Sequence, residues 1–280
     1  MTSDRIQPIS SFRSSVLAWP LVALLGTVAC SSSSKDADAA DASTTDSSAT
    51  ADAAATDDGG THTGDAATSD AHPGDGSAVS CTAALKSLLG PVDSVSTGAV
   101  TVLATDGTAK TIYVDAAAGG INKAPTSPRL YLSLETLTRV DVTDVTATSS
   151  TAWDLALKRN VIFTNGGMAG TGQGASAYLP LQAFGSVTSA SATGKEFSTE
   201  AFVDPDCNPY QDRIGGPLTS FGDWYDYEEG TNLVRPKDGT FLVKGATGKL
   251  FKVRILNYYS TADGGTGTLG AFYTLQVAPL

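Results

Sequence analysis

Residues 153–167 constrain the fold more than any other stretch of this chain. They read Trp153-Asp154-Leu155-Ala156-Leu157-Lys158-Arg159-Asn160-Val161-Ile162-Phe163-Thr164-Asn165-Gly166-Gly167. Trp153, Leu155 and Leu157 fall on one side of a period-two pattern, with Asp154 and Lys158 on the other. That alternation belongs to a half-buried strand. Val161 and Phe163 continue the apolar side after a shift. The segment reads as one long strand that runs into a tight Asn-Gly-Gly turn. Met168 follows, the only methionine apart from the initiator.

The same texture extends over residues 81–280. Residues 111–114 and 130–134 alternate apolar and polar positions, as strands do. Residues 177–181 form a shorter run whose Pro180 points to a sheet edge or a strand end. Residues 241–243, 249–259 and 271–277 complete the set. Residues 83–89 suit one or two helical turns, stopped by Gly90-Pro91. Glycine-rich turns at 165–174 and 263–267 separate the alternating runs, which indicates hairpins rather than crossovers. The 165–174 segment reads as the most open loop in the chain. The expected fold is all-β, with mainly antiparallel hairpin-built sheets in a single domain, minor helix, and a disordered N-terminal tether in front. Two hundred residues, 81–280, suffice for one such core.

Charge separates the tether from the domain. The net charge is −11, and residues 31–80 supply −9 of it through ten Asp and one Lys. Residues 81–280 are close to neutral, with 18 acids and 15 bases, so no basic surface suited to nucleic acid is evident. Residues 31–80 are built of Ser, Ala, Asp, Thr and Gly with no aromatic residue. Such a segment buries too little apolar surface to offset its conformational entropy, so a disordered, self-repelling spacer is expected. His62 and His72 lie in it, ten residues apart. They are read as incidental polar residues, with a metal- or haem-scavenging tail as the weaker reading.

The first thirty residues read as a targeting segment. Arg5 and Arg13 precede a short apolar run at 16–28, too short for a comfortable membrane-spanning helix. Thr27-Val28-Ala29-Cys30 resembles a bacterial lipobox, although Thr27 stands where Leu or Val is usual. The reading is a lipoprotein signal peptide at 1–29, lipidated Cys30 at the start of a tether over 30–80, and a β domain at 81–280. An ordinary cleaved signal peptide is the alternative. Ser31 after the cysteine resembles an outer-membrane sorting signal. Cys81 and Cys207 then remain; in an exported protein two such thiols most often pair as a disulfide, and two free buried thiols are the alternative.

The 153–167 motif closely resembles the core of the HmuY-like haem-binding lipoproteins. The resemblance continues through Trp224-Tyr225-Asp226-Tyr227, Phe241-Leu242-Val243-Lys244 and Lys249-Leu250-Phe251-Lys252-Val253-Arg254-Ile255-Leu256-Asn257-Tyr258-Tyr259, so it spans roughly residues 111–277. It implies a haemophore-like function: capture of haem or a related tetrapyrrole at the bacterial outer membrane and transfer to a TonB-dependent receptor. It implies two axial ligands, His or Met, one near the turn after the motif strand. Met168 occupies that place. Residues 169–280 hold neither His nor Met, so the second ligand does not carry over. Tyr178 and Lys195 are the nearest remaining donors.

Other chemistry has less support. Gly170-Thr171-Gly172-Gln173-Gly174 lacks the lysine of a phosphate-binding loop. Residues 81–280 contain no histidine for a serine–histidine pair. Asp204-Pro205-Asp206 reads as a solvated turn or an oxygen-ligand calcium loop. Trp153, Trp224, Tyr225, Tyr227, Tyr258 and Tyr259 read as core packing or as the wall of a ligand cleft. A non-catalytic haem binder is thus expected, against a structural or interaction lipoprotein of the same fold that binds another small ligand or a protein and no haem.

Overall fold

Residues 80–280 are described by the structure, a computed structural model. The signal peptide, Cys30, the acidic stretch to residue 79, His62 and His72 lie outside the described residues. The chain enters through α1 (Thr82–Leu89), which ends at Gly90 in the left-handed conformation, φ 50°. A residue with no Cβ adopts that conformation at little cost, so Gly90 stops the helix as the sequence suggests.

Alternation then builds two antiparallel sheets. The strands are β1 (Val100–Asp106), β2 (Ala109–Asp115), β3 (Leu130–Ser133), β4 (Thr138–Val140), β5 (Leu155–Lys158), β6 (Val161–Thr164), β7 (Ala175–Pro180), β8 (Tyr225–Glu228), β9 (Leu233–Pro236), β10 (Gly239–Lys244), β11 (Leu250–Asn257) and β12 (Phe272–Pro279). The larger sheet has the order β1-β2-β12-β11-β10-β7, the smaller β4-β3-β5-β6, and β8-β9 stands as a separate hairpin. Pro180 closes edge strand β7, where its missing N–H costs no ladder bond.

Residues 153–164 are not one strand. β5 and β6 pair antiparallel, Leu155 with Thr164 and Lys158 with Val161, around the turn Arg159-Asn160. The shift in alternation is that turn. Arg159 takes φ 54° without being glycine. The turn is held from below: the Tyr273 hydroxyl donates to the Arg159 carbonyl at 2.6 Å, and the Trp224 indole to the Asn160 carbonyl at 2.9 Å.

The main core lies between the two sheets. Leu130 and Leu132 of β3 and Leu155 and Leu157 of β5 share it with Ile112 and Val114 of β2, Phe251 and Val253 of β11, and Tyr273 and Leu275 of β12. The intervening residues of the small sheet, Tyr131, Ala156 and Phe163, face a second core with Trp153 and Phe202, against which Leu85, Leu88 and Leu89 of α1 pack. A buried Arg129–Asp144 pair at 3.1 Å locks α1 to this side, because Arg129 also donates to the Leu89 carbonyl. Cys81 and Cys207 form a disulfide across 126 residues, joining the start of α1 to the loop ahead of β8.

Candidate functional site

Buried polar side chains lock the Trp-Asp…Thr-Asn-Gly-Gly motif in place. The buried Asp154 carboxylate accepts the amides of Leu134 at 2.6 Å and Ala246 at 2.8 Å, so it ties the two sheets together. Burial raises its pKa, and the two amide bonds oppose that shift. The Asn165 amide donates to the carbonyls of Ser150 at 2.7 Å and Trp153 at 2.9 Å, while its Oδ1 accepts the Gly172 amide at 3.2 Å. The glycine segment is therefore folded back on Asn165, not open. A Cβ on Gly166 would lie 2.0 Å from the Gly174 carbonyl oxygen, and one on Gly170 2.2 Å from Asn165 Oδ1. Glycine is required here by close approach, not by flexibility.

Met168 sits on a single turn of 3-10 helix, Gly167–Ala169, and is 41% exposed. Its amide donates to the Glu200 carbonyl at 2.9 Å, and its sulphur accepts the Phe202 amide at 3.3 Å. Tyr178 and Lys195 come together in a cleft of about 600 Å³ whose lining includes Tyr210, Leu218 and Phe241 but not Met168. Tyr178 packs against Phe241 with ring centroids 4.7 Å apart and the planes tilted by 37°, and its hydroxyl donates to the Asp238 carbonyl at 2.9 Å. Behind this cleft the buried Glu200 carboxylate accepts the amide and hydroxyl of Thr164 and the amide and hydroxyl of Ser220, at 2.6–3.0 Å. Burial raises the Glu200 pKa against those hydrogen bonds.

A larger cleft, about 900 Å³, opens between the β5–β6 turn, the 211–214 loop and the β8–β9 hairpin. Tyr225, Tyr227 and Tyr258 line it, with Ile214 at its rim. Ile214 is 87% exposed and Tyr227 50%. The Tyr225 hydroxyl accepts the Asn160 side-chain amide at 3.0 Å, and the Tyr227 hydroxyl donates to Asn232 Oδ1 at 2.6 Å. Tyr258 differs. It is only 4% exposed, packed against Trp224, Tyr259 and Tyr273, and its hydroxyl makes no hydrogen bond among the described residues. Arg129 Nε is the one fully enclosed side-chain nitrogen or oxygen among them that lacks a partner, so the Tyr258 oxygen reaches the cleft. Burial raises its pKa to about 12. Arg213 and Glu229 face each other at the mouth at 3.3 Å.

The aromatic residues divide between the two roles the sequence allowed. Trp153 and Trp224 are buried, Tyr225 and Tyr227 turn a face to the cleft, and Tyr258 is a buried ring that borders it. Asn160 and Ile214 carried no signal in sequence, because only the fold brings their loops beside β8. The Asp204 carboxylate accepts the amides of Asp206 and Asn208 and the Asn208 side chain, at 2.8–2.9 Å, and so braces its own turn. Among the described residues no three of His, Cys, Asp and Glu gather as a metal site.

Comparison with known proteins places this architecture. The HmuY protein family matches residues 126–273. No curated protein matches the chain. Among solved structures, a candidate lipoprotein of Bacteroides fragilis is 16% identical, with a TM-score of 0.44 over 64% of this chain and 94% of its own. A candidate HmuY-like haem-binding protein of Bacteroides vulgatus is 19% identical, with a TM-score of 0.43 over 63% of this chain and 96% of its own. The apo HmuY analogue of Tannerella forsythia is 13% identical, with a TM-score of 0.39 over 61% and 96%. The matched span holds the motif strands, the Asn165 lock and the aromatic segments alike, and the chain belongs to the HmuY family.

Proposed function

We propose that the protein is a lipid-anchored, non-catalytic carrier that binds haem or a related tetrapyrrole at the outer membrane and yields it to a TonB-dependent receptor. Family membership supports the ligand class. The observation that carries the reading here is the 900 Å³ cleft lined by Tyr225, Tyr227 and Tyr258. Its volume lies in the range of small-molecule sites, about 300–1,000 Å³. Aromatic faces suit a flat apolar macrocycle. Arg213 at the mouth, exposed and paired among the described residues with Glu229 alone, suits the carboxylates of such a ligand. Cys30 supplies the anchor, and the acidic 31–80 segment the reach from the membrane.

A second placement uses the cleft where Tyr178 and Lys195 meet, with Met168 as a separate donor. Its weakness is that the Tyr178 hydroxyl and the Met168 sulphur already hold backbone groups. Absorption titration of the full chain with ferric and ferrous haem tests the function. A saturable one-to-one Soret change is expected. Absence of saturation leaves the alternative, a lipoprotein of this fold that binds another small ligand or a protein partner. Met168→Ala, Tyr178→Phe and Lys195→Ala test the second placement; it requires at least one of them to weaken binding.

A further inference from the structure

We infer that Tyr258 is an axial ligand for ferric haem iron, bound through its oxygen in the tyrosine-lined cleft. The inference rests on the haem reading above and names the donor that the sequence left unassigned. Three observations support it. The Tyr258 ring is buried and fixed by Trp224, Tyr259 and Tyr273, so its oxygen has a defined position. That oxygen has no hydrogen-bond partner among the described residues, whereas those of Tyr225, Tyr227 and Tyr259 are all engaged. It reaches the larger aromatic cleft.

The chemistry is a substitution at iron. With ferric haem in the cleft, the Tyr258 Oη–H bond would break, an Oη–iron bond would form, the proton would pass to solvent, and a water molecule would leave the iron. No electron moves, and iron stays ferric. Phenolate oxygen is an established axial donor for haem. It is an anionic oxygen and favours ferric over ferrous iron, the reverse of a thioether such as Met168. Around Tyr258 stand Arg159 of the β5–β6 turn, Tyr225 of β8, the neighbouring Tyr259 and Tyr273 of β12; Asp212, Arg213 and Glu229 line the same cleft. Arg159 alone of the charged groups beside the ring favours the phenolate.

The test is a titration of the full chain and of Tyr258→Phe with ferric haem, ferrous haem and iron-free protoporphyrin across pH 6–9. Tyr258→Phe is expected to weaken ferric haem by about tenfold or more, about 1.4 kcal/mol per decade, and to leave iron-free protoporphyrin within about twofold. Ferric affinity of the wild type should rise by up to about tenfold per pH unit relative to the variant, because one proton is released. Since the variant removes an oxygen that holds nothing, its melting temperature should match the wild type. If it does not fold, the wild type decides alone: ferric haem must bind more tightly than both ferrous haem and iron-free protoporphyrin. Equal affinity for all three, or identical ferric affinity and pH slope in the two proteins, overturns Tyr258 as ligand and leaves the carrier reading standing. No saturable binding of any porphyrin overturns both.

Discussion

Asn165 decides how the motif should be understood. In sequence it is the first residue of a turn; in the structure its side chain holds two carbonyls and one amide, and the Gly174 amide bonds its carbonyl at 2.7 Å. Asn165→Ala would leave those groups buried and unpaired, at a cost on the order of 2–4 kcal/mol. Urea unfolding checks this, and a loss below about 1 kcal/mol would show the loop to be as free as its glycines suggest. Gly170→Ala should cost a comparable amount through the clash with Asn165 Oδ1, and the two changes together less than their sum. The open-loop reading failed for a physical reason: glycine marks close approach as well as freedom, and composition alone does not tell them apart. Arg159 is the converse. It takes a left-handed conformation that glycine or asparagine usually fills, so the turn between β5 and β6 left no signature. Tyr273 and Trp224, more than sixty residues downstream, hold it there.

At the scale of elements, the strands with clean alternation were legible: β2, β3, β7, β10, β11 and β12 fall where the pattern put them. β1, β4, β8 and β9 were not read as strands. β1 is a sheet edge with mostly exposed side chains, so it has no buried face to pattern its sequence. β9 exists as the partner of β8, held by the Tyr259 hydroxyl, which accepts the Val234 amide at 2.8 Å. The disulfide acts at this scale too. Closing a loop of this length is worth on the order of 4–5 kcal/mol in the chain-entropy model. Titration of the unfolded, unreduced protein should find neither Cys81 nor Cys207 free. Reduction should lower stability and speed amide exchange in α1 first, because Leu85 and Leu88 pack on the second core without being fully buried. Two titratable thiols, or α1 exchange unchanged by reduction, would contradict this.

For the whole molecule, two buried acids set a pH dependence. Glu200 and Asp154 both have raised pKa values in the folded protein, through burial. The folded state therefore binds more protons than the unfolded one between about pH 4, the ordinary carboxylate range, and the raised values. Stability from these groups is fully present below that range and is lost as pH rises through their folded pKa values. Glu200→Gln should flatten the fall in unfolding free energy between pH 4.5 and 7. An unchanged slope would mean that the four hydrogen bonds to Glu200 outweigh its burial. The fold itself follows from two-face alternation and was legible as all-β, whereas the cleft was not. Its walls come from the β5–β6 turn, the 211–214 loop, the β8–β9 hairpin and Tyr258, nearly a hundred residues apart in sequence, and no local pattern joins them.

We propose the tyrosine-lined cleft as the porphyrin site. Its most direct test compares haem affinity of the wild type with that of two double variants, Ile214→Ala/Tyr227→Ala in that cleft and Tyr178→Ala/Lys195→Ala in the other. Ile214 and Tyr227 are exposed, so their loss should leave the fold intact. The expected result is one saturable site, weakened about tenfold or more by the first pair and unchanged by the second. Binding that survives the first pair and fails with the second would place the ligand elsewhere and contradict the claim.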